Sequence, residues 1–348
     1  ALEADGARSA CSSLSTVAWE RRFGEACMGR RTLPSGENCE ILMLDSRFRS
    51  VPAMASPFGA QPYWLKALAL NSLYSKYSGC ALRVMWPANA TAHDSGPDVA
   101  KASMRELMRG GVGLTARANN WCKVVLLASR VRRALAMASH NEVTKAQWLI
   151  YLDSDAFVNQ PSGSRNASIT QTLARLNASA AHVALTREDA LPAHKFASMI
   201  TVNTGVIFVR ATEWALRFLE AWAASADDGG PCASFGMRTA EQTCLAFLLQ
   251  NASLSPDVMR RHLRILPMLP MNSPWGTDVT HVFSASYFLR GPPHKGAGPL
   301  GSDVYSKALK SRGIETAALL DKQVKRALSE ASAFDCQQVD SKVPYSKR

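Results

Sequence analysis

A chain of 348 residues is long enough to bury a substantial core, as one large domain or two. Its 47% apolar and 20% charged content is globular and excludes wholesale disorder. The excess of Lys and Arg gives a net charge of +12 and a pI near 9.5, a field that attracts anions. The basic residues are scattered ("RVRR" at 130–133, "MRRHLR" at 259–264) rather than clustered with aromatics, which argues against a nucleic-acid partner.

No run of about 18 apolar residues occurs, so no membrane-spanning helix is expected. The start at Ala1, without Met or a signal-peptide pattern, reads as a processed chain whose only membrane link is an anchor absent from it. The cysteines are Cys11, Cys27, Cys39, Cys80, Cys122, Cys232, Cys244 and Cys336. They form no CxxC pair, which argues against a zinc ribbon or thioredoxin-type site. Three of them fall in the first 39 residues, and sequons occur at Asn89, Asn166, Asn177 and Asn251. Together these lean toward an oxidising secretory compartment. Cys122 and Cys244 lie in helical patterns and read as buried free thiols.

Residues 1–40 are aperiodic and read as an irregular leader. "EILMLDS" (40–46) is a predicted strand ending in Asp45, followed by a Pro/Gly-bearing loop. "YWLKALALNSLYSKYSGC" (63–80) has helical spacing through Trp64, Leu68, Leu73 and Tyr77, with Gly79 as a stop signal. "ALRVMWP" (81–87) is the next strand, and this alternation predicts parallel pairing. Residues 88–118 are polar and Gly-rich, with one short helix near "KASMRELMR"; "NNWCKVVLLASRVRRALAMAS" (119–139) is a long helix. Trp148 to Leu152 is a buried-strand run.

Further strands are expected over 180–189 and over 199–210, the latter interrupted at Asn203–Gly205. The helix over 211–225 carries Trp214, Phe218 and Trp222 every fourth position, a stripe that reads as core. A short helix spans 240–250, residues 262–300 are Pro-rich and largely non-helical, and 303–334 return to helix before a frayed tail.

The chemistry is expected where "WLIYL" delivers Asp153 and Asp155. In an extended chain residues i and i+2 point the same way, about 6.5–7 Å apart, so two carboxylates can converge on one cation. Buried carboxylates need a partner, and the end of a strand in an open α/β sheet is where ligands bind. The competing reading is a strand-end pair capping a turn. Gly205 inside a strand marks a bulge or a close approach to a ligand. Glu241 at the start of a helix is favoured there by the helix dipole in any case.

Four motifs in order carry a resemblance: "NNWCK", "WLIYLDSDAFV", "VNTGVIFVRATEWALRFLEAW" and "EQTCLAFLL". They resemble glycosyltransferase family 34, with related nucleotide-diphospho-sugar transferases next closest. "NSLYSKYSGC" is similar to an early helix of that family, although Ser78 and Cys80 depart from its pattern. The likeness covers roughly 41–300, leaving 301–348 as a C-terminal helical extension and tail.

The resemblance implies a single catalytic domain of the GT-A type, an α/β fold with a Rossmann-like mixed sheet flanked by helices. It implies a UDP- or GDP-sugar donor, Mn²⁺ (or Mg²⁺) as cofactor, and a glycan or glycoprotein acceptor. Asp153 and Asp155 would be the metal and ribose contacts, and a late histidine the third metal ligand. "PPHKGAG" makes His294 the candidate and His281 its rival, and Lys295 would lie against the diphosphate. Lys123 and Asp45 would be nucleotide-side contacts, the second from its strand-end position alone. Asn203 would line the sugars.

Gln242 would steady the anomeric centre, while Ala240 and Glu241 stand where the family has aspartates, which bears on acceptor recognition. Configuration would be retained; an inverting enzyme would need a base, for which Glu241 or Asp189 would serve. Residence would be the Golgi lumen, as the ectodomain of a type II membrane protein. A haloacid-dehalogenase-type phosphatase also ends a strand in D-x-D, but Phe157 and the lack of a downstream acidic motif oppose it. The reading from a different class is a catalytically inactive sugar-binding module on the same fold.

Overall fold

The computed structural model describes residues 39–49, 61–87, 121–139, 148–159, 168–188, 202–226, 230–233, 240–250, 261–272, 277–281 and 300–334. A seven-stranded mixed sheet organises them, in the order β7-β5-β6-β3-β1-β2-β9. The strands are β1 (Cys39–Leu44), β2 (Ala81–Pro87), β3 (Trp148–Leu152), β5 (Val183–Arg187), β6 (Val202–Arg210), β7 (Leu263–Leu266) and β9 (Ser332–Phe334). β6 runs antiparallel to both its neighbours, and the remaining pairs are parallel. A separate two-stranded ribbon pairs β4 (Ala156–Val158) with β8 (Val279–His281).

The central strands are buried on both faces, which is why they read as continuous apolar runs rather than alternating ones. Ile41, Met43, Ile150 and Leu152 face a core built with helix α1 (Tyr63–Ser78), α3 (Ile169–Arg175), α7 (Leu300–Lys310) and α8 (Ala317–Leu328). Leu42, Leu149, Tyr151 and Ile207 face the other core, built with α2 (Cys122–Ser139), α4 (Glu213–Ala224) and α5 (Ala240–Gln250). The α/β sandwich of the sequence reading is thus present. Gly79 ends α1 at φ 78°, a left-handed conformation that an L side chain resists. Ser168, Thr212 and Thr316 cap α3, α4 and α8 through their hydroxyls.

The aromatic stripe of α4 is core as expected: Trp222 is fully buried, and Trp214 and Phe218 pack against the same cluster. The cysteine expectation needs correction. Cys244 is disulfide-bonded to Cys232, Cys122 is disulfide-bonded as well, and Cys39 joins Cys80 across β1 and β2. Helical periodicity reports which face a cysteine occupies, not what stands opposite it. For Cys244 the opposing group is the loop after α4.

The stretch over 262–300 expected to be largely non-helical contains β7, the short helix α6 (Met268–Met271) and β8. Residues 303–334, expected to return to helix, hold α7 and α8, separated at Gly313, where φ is 77°, and end in β9. β9 then pairs with β2, so the chain beyond residue 300 contributes an edge strand to the main sheet. Among the described residues no helix is long and apolar enough to cross a membrane. Of the irregular leader expected over 1–40, Cys39 and Glu40 are instead the first residues of β1, while residues 1–38, the short helix near 101–109 and the frayed tail lie outside the described residues.

Candidate metal and nucleotide-sugar site

β3 ends at Leu152, and the chain turns through Asp153-Ser154-Asp155 into β4. The turn is held from several sides. Asp153 N–H donates to the Gly205 carbonyl at 2.8 Å, and Ala156 N–H closes back on the Asp153 carbonyl at 2.9 Å. Because β4 pairs with β8, Ala156 lies opposite His281, and this register carries the imidazole to the two carboxylates. Asp153, Asp155 and His281 each present a ligand atom within 4.8 Å of the others.

The environment of His281 bears on what this cluster could hold. The Asn272 amide donates to the Arg187 carbonyl at 3.3 Å, which turns its Oδ1 toward His281 Nδ1 at 2.6 Å. Nδ1 therefore carries the proton, and Nε2 points a lone pair at Asp155 Oδ1, 3.2 Å away. Two acceptors face to face in a buried site need a cation between them, a proton or a metal. Burial pulls the His281 pKa down, but Asp155, Asp153 and Glu188 outweigh it and raise it above the ordinary value. Two carboxylates and one imidazole with a fixed second nitrogen suit a divalent ion such as Mn²⁺ or Mg²⁺. The residues present fit such a group.

Gly205 is where the strand comes closest. The β5–β6 register jumps between Leu185↔Ile207 and Thr186↔Asn203, so Thr204–Val206 bulge out of the β5 ladder, with Val206 still paired to Leu152 of β3 and the Gly205 carbonyl held by Asp153 N–H. This is the interruption the sequence showed at Asn203–Gly205. The bulge brings Gly205 against the His281 ring and Asp153 Oδ2, leaving no room for a side chain. Asn203 accepts from Gly205 N–H at 2.8 Å and donates to Glu188 at 2.7 Å. Glu188 is buried, and its strand-end position beside Asp189 was the only sign of it in the sequence.

Lys123 is 6% exposed, and its ammonium is engaged inside the protein. It reaches Asp153 at 3.2 Å, Glu241 at 3.3 Å and the Thr204 carbonyl at 3.3 Å. Burial opposes its charge, yet the two carboxylates hold its pKa above the ordinary lysine value. Burial and Asp153 push Tyr151 well above the usual phenol, so it stays a neutral donor to that carboxylate. Glu241 also accepts from the Thr204 hydroxyl at 3.0 Å, and Gln242 Oε1 accepts Thr204 N–H at 3.1 Å. Asp45 is clamped by Arg47, whose guanidinium also donates to Ser154 Oγ at 2.7 Å and to the Tyr63 hydroxyl at 2.9 Å. Arg47 and Asn272 were not singled out in the sequence. Each is tied in by long-range hydrogen bonds that no local pattern announces, Arg47 to Ser154 and Tyr63 and Asn272 to the Arg187 carbonyl.

The structure thus gathers Asp153, Asp155, Lys123, Asn203, Glu241, Gln242 and His281 in one neighbourhood, with Asp45 tied to it through Arg47 and Ser154. His294, Lys295 and Asp189 lie outside the described residues.

A mixed sheet whose one antiparallel strand adjoins a strand ending in D-x-D is the architecture expected of a GT-A-type glycosyltransferase. Residues 121–267 match the model of the galactosyl transferase GMA12/MNN10 family, the family that the ordered motifs resemble. The match takes in the acids, Lys123 and Gln242 but ends before His281. A search of curated proteins finds no significant match.

Among solved structures, a glycosyltransferase involved in glycosylation of the major capsid of PBCV-1 is similar at 15% identity and TM-score 0.39. That likeness covers 70% of this chain and 94% of the other. The galactosyltransferase LgtC, in complex with donor and acceptor sugar analogs, is similar at 11% and 0.36, covering 78% and 95%. Mouse xyloside xylosyltransferase 1 in its apo form is similar at 14% and 0.34, covering 71% and 98%.

Proposed function

We propose that the chain transfers a sugar from a UDP- or GDP-sugar to a hydroxyl of a glycan or glycoprotein, with retention of anomeric configuration. A divalent cation, Mn²⁺ or Mg²⁺, is held by Asp153, Asp155 and His281. The observation that carries this reading is the convergence of those three side chains with Nδ1 of His281 already committed to Asn272. When bound, the cation supplies Lewis-acid stabilisation of the charge that builds on the departing diphosphate.

The remaining work falls to side chains. Thr204 N–H fixes the Gln242 amide oxygen, the group assigned to the oxocarbenium-like centre. Glu241, the base candidate for an inverting reaction, is buried and ion-paired to Lys123, which favours the retaining reading. Lys123 sets the spacing between Glu241 and Asp153 rather than reaching outward.

A panel of nucleotide sugars with and without Mn²⁺, read by thermal shift, tests the donor reading. A donor at a hundred times its dissociation constant adds about 2.7 kcal/mol of stability. A panel in which no nucleotide sugar shifts melting in the presence of metal sinks it. Mn²⁺-dependent release of UDP or GDP separates the enzyme from an inactive sugar-binding module.

The same reading assigns the chain to the Golgi lumen, as the luminal part of a membrane-anchored protein. Two observations support it: the Cys39–Cys80 and Cys232–Cys244 bonds, and the exposure of sequon residue Asn177 on the turn after α3. Chain expressed through the secretory route is expected to carry an N-glycan at Asn177, seen as a mobility shift on glycosidase treatment that is smaller in Asn177→Gln. Mass spectrometry finding only unmodified Asn177 in secreted chain counts against this residence.

A further inference from the structure

The segment beyond residue 300 lies outside the family match and reads in sequence as a plain helical extension. Its contacts say otherwise. Tyr305 of α7 is fully buried, and its hydroxyl donates to the backbone carbonyl of Asp155 at 2.6 Å. The ring packs 5.4 Å from Phe157 and stacks at 6.2 Å on Tyr63, the residue that receives Arg47. Seven residues on, Arg312 donates to the Val158 carbonyl at 2.7 Å and to the Leu70 carbonyl at 3.2 Å. Its guanidinium lies 6.0 Å from the centre of the Phe157 ring. From α1, Asn71 donates to the Ala156 carbonyl at 2.9 Å and accepts Val158 N–H at 3.1 Å.

The short strand that follows Asp155 is therefore gripped along its length, and the grip on Asp155 itself comes from α7. Its carbonyl is tied to Tyr305 while its carboxylate faces His281. A metal site loses affinity when a ligand's own support is removed, because the ligand must then be ordered at the moment of binding.

We infer that Tyr305 is a positioning residue for the metal ligand Asp155, which makes the C-terminal extension part of the cation site's scaffold. This rests on the metal reading given above. A buried tyrosine serving only as core filler would be indifferent to loss of its hydroxyl as far as metal is concerned, so the hydroxyl is the atom to remove.

The test is Mn²⁺ titration followed by electron paramagnetic resonance, with and without UDP, on wild type, Tyr305→Phe and Tyr74→Phe. Tyr74 lies in the same core and also uses its hydroxyl, accepting Ile169 N–H at 2.9 Å, but it has no contact with the Asp155 segment in that bond. Tyr305→Phe is expected to weaken Mn²⁺ binding about tenfold, while Tyr74→Phe leaves it within twofold at a comparable fall in melting temperature. Equal Mn²⁺ affinity in wild type and Tyr305→Phe overturns the inference while leaving the metal site standing. Equal weakening in both variants also overturns it, because the effect is then one of general stability. Absence of Mn²⁺ binding in wild type sinks the metal reading itself, and the role of Tyr305 with it.

Discussion

Asp155→Asn is expected to lower the rate of sugar transfer by roughly a thousandfold or more, equivalent to about 4 kcal/mol of lost transition-state stabilisation. The size follows from where the residue sits. Its carboxylate lies 3.2 Å from His281 Nε2, so the change removes one of the three proposed ligands and leaves the imidazole facing a neutral amide in a buried site. Release of UDP or GDP from the donor, timed with and without Mn²⁺, measures it. A rate within tenfold of wild type means that no cation works at this turn. Metal must also displace the proton that the surrounding acids hold on His281 above its ordinary pKa. Mn²⁺ affinity should therefore rise with pH through that value and level off beyond it.

The parts of this site that could be read in the sequence are those whose signal is local. A five-residue apolar run ending in two acids needs no tertiary information: β3 is buried at every position, and the acids fall at its mouth. Gly205 announced itself by interrupting a strand, and the interruption is a register jump of the β5–β6 ladder. The third member of the proposed metal site was legible only as a choice between histidines. His281 ends a three-residue strand with no periodicity, and its position depends on pairing β8 with β4 across more than a hundred residues of chain.

Lys123 and Asp45 show a different limit. Sequence placed both near the site, yet each is committed to a protein partner, Lys123 to Asp153 and Glu241, Asp45 to Arg47. Proximity follows from element order, whereas the group that a charged atom touches follows from packing. The cysteines failed for the same reason, while the helical reading of 303–334 held for α7 and α8 but missed the break between them and the strand that follows. Gly313 and the β9 pairing with β2 break a pattern that composition alone leaves continuous.

Gly205→Ala should remove metal binding with all three proposed ligands left in the sequence. A Cβ at this position would overlap His281 Cε1 and lie 2.8 Å from both His281 Nε2 and Asp153 Oδ2. The backbone here is ordinary strand, so the cost is steric rather than conformational. The ring cannot swing aside cheaply, since it is 4% exposed and its Nδ1 is held by Asn272. Overpacking of this kind costs about 1–3 kcal/mol, and the displaced imidazole no longer completes the cluster. Chemical denaturation gives the first quantity and Mn²⁺ titration the second. Combining Gly205→Ala with His281→Ala vacates the space that the methyl needs, so the two stability losses should fall well short of additive while metal binding stays absent. Strict additivity would mean that the methyl is accommodated elsewhere, and that β6 does not press on the histidine as the bulge requires.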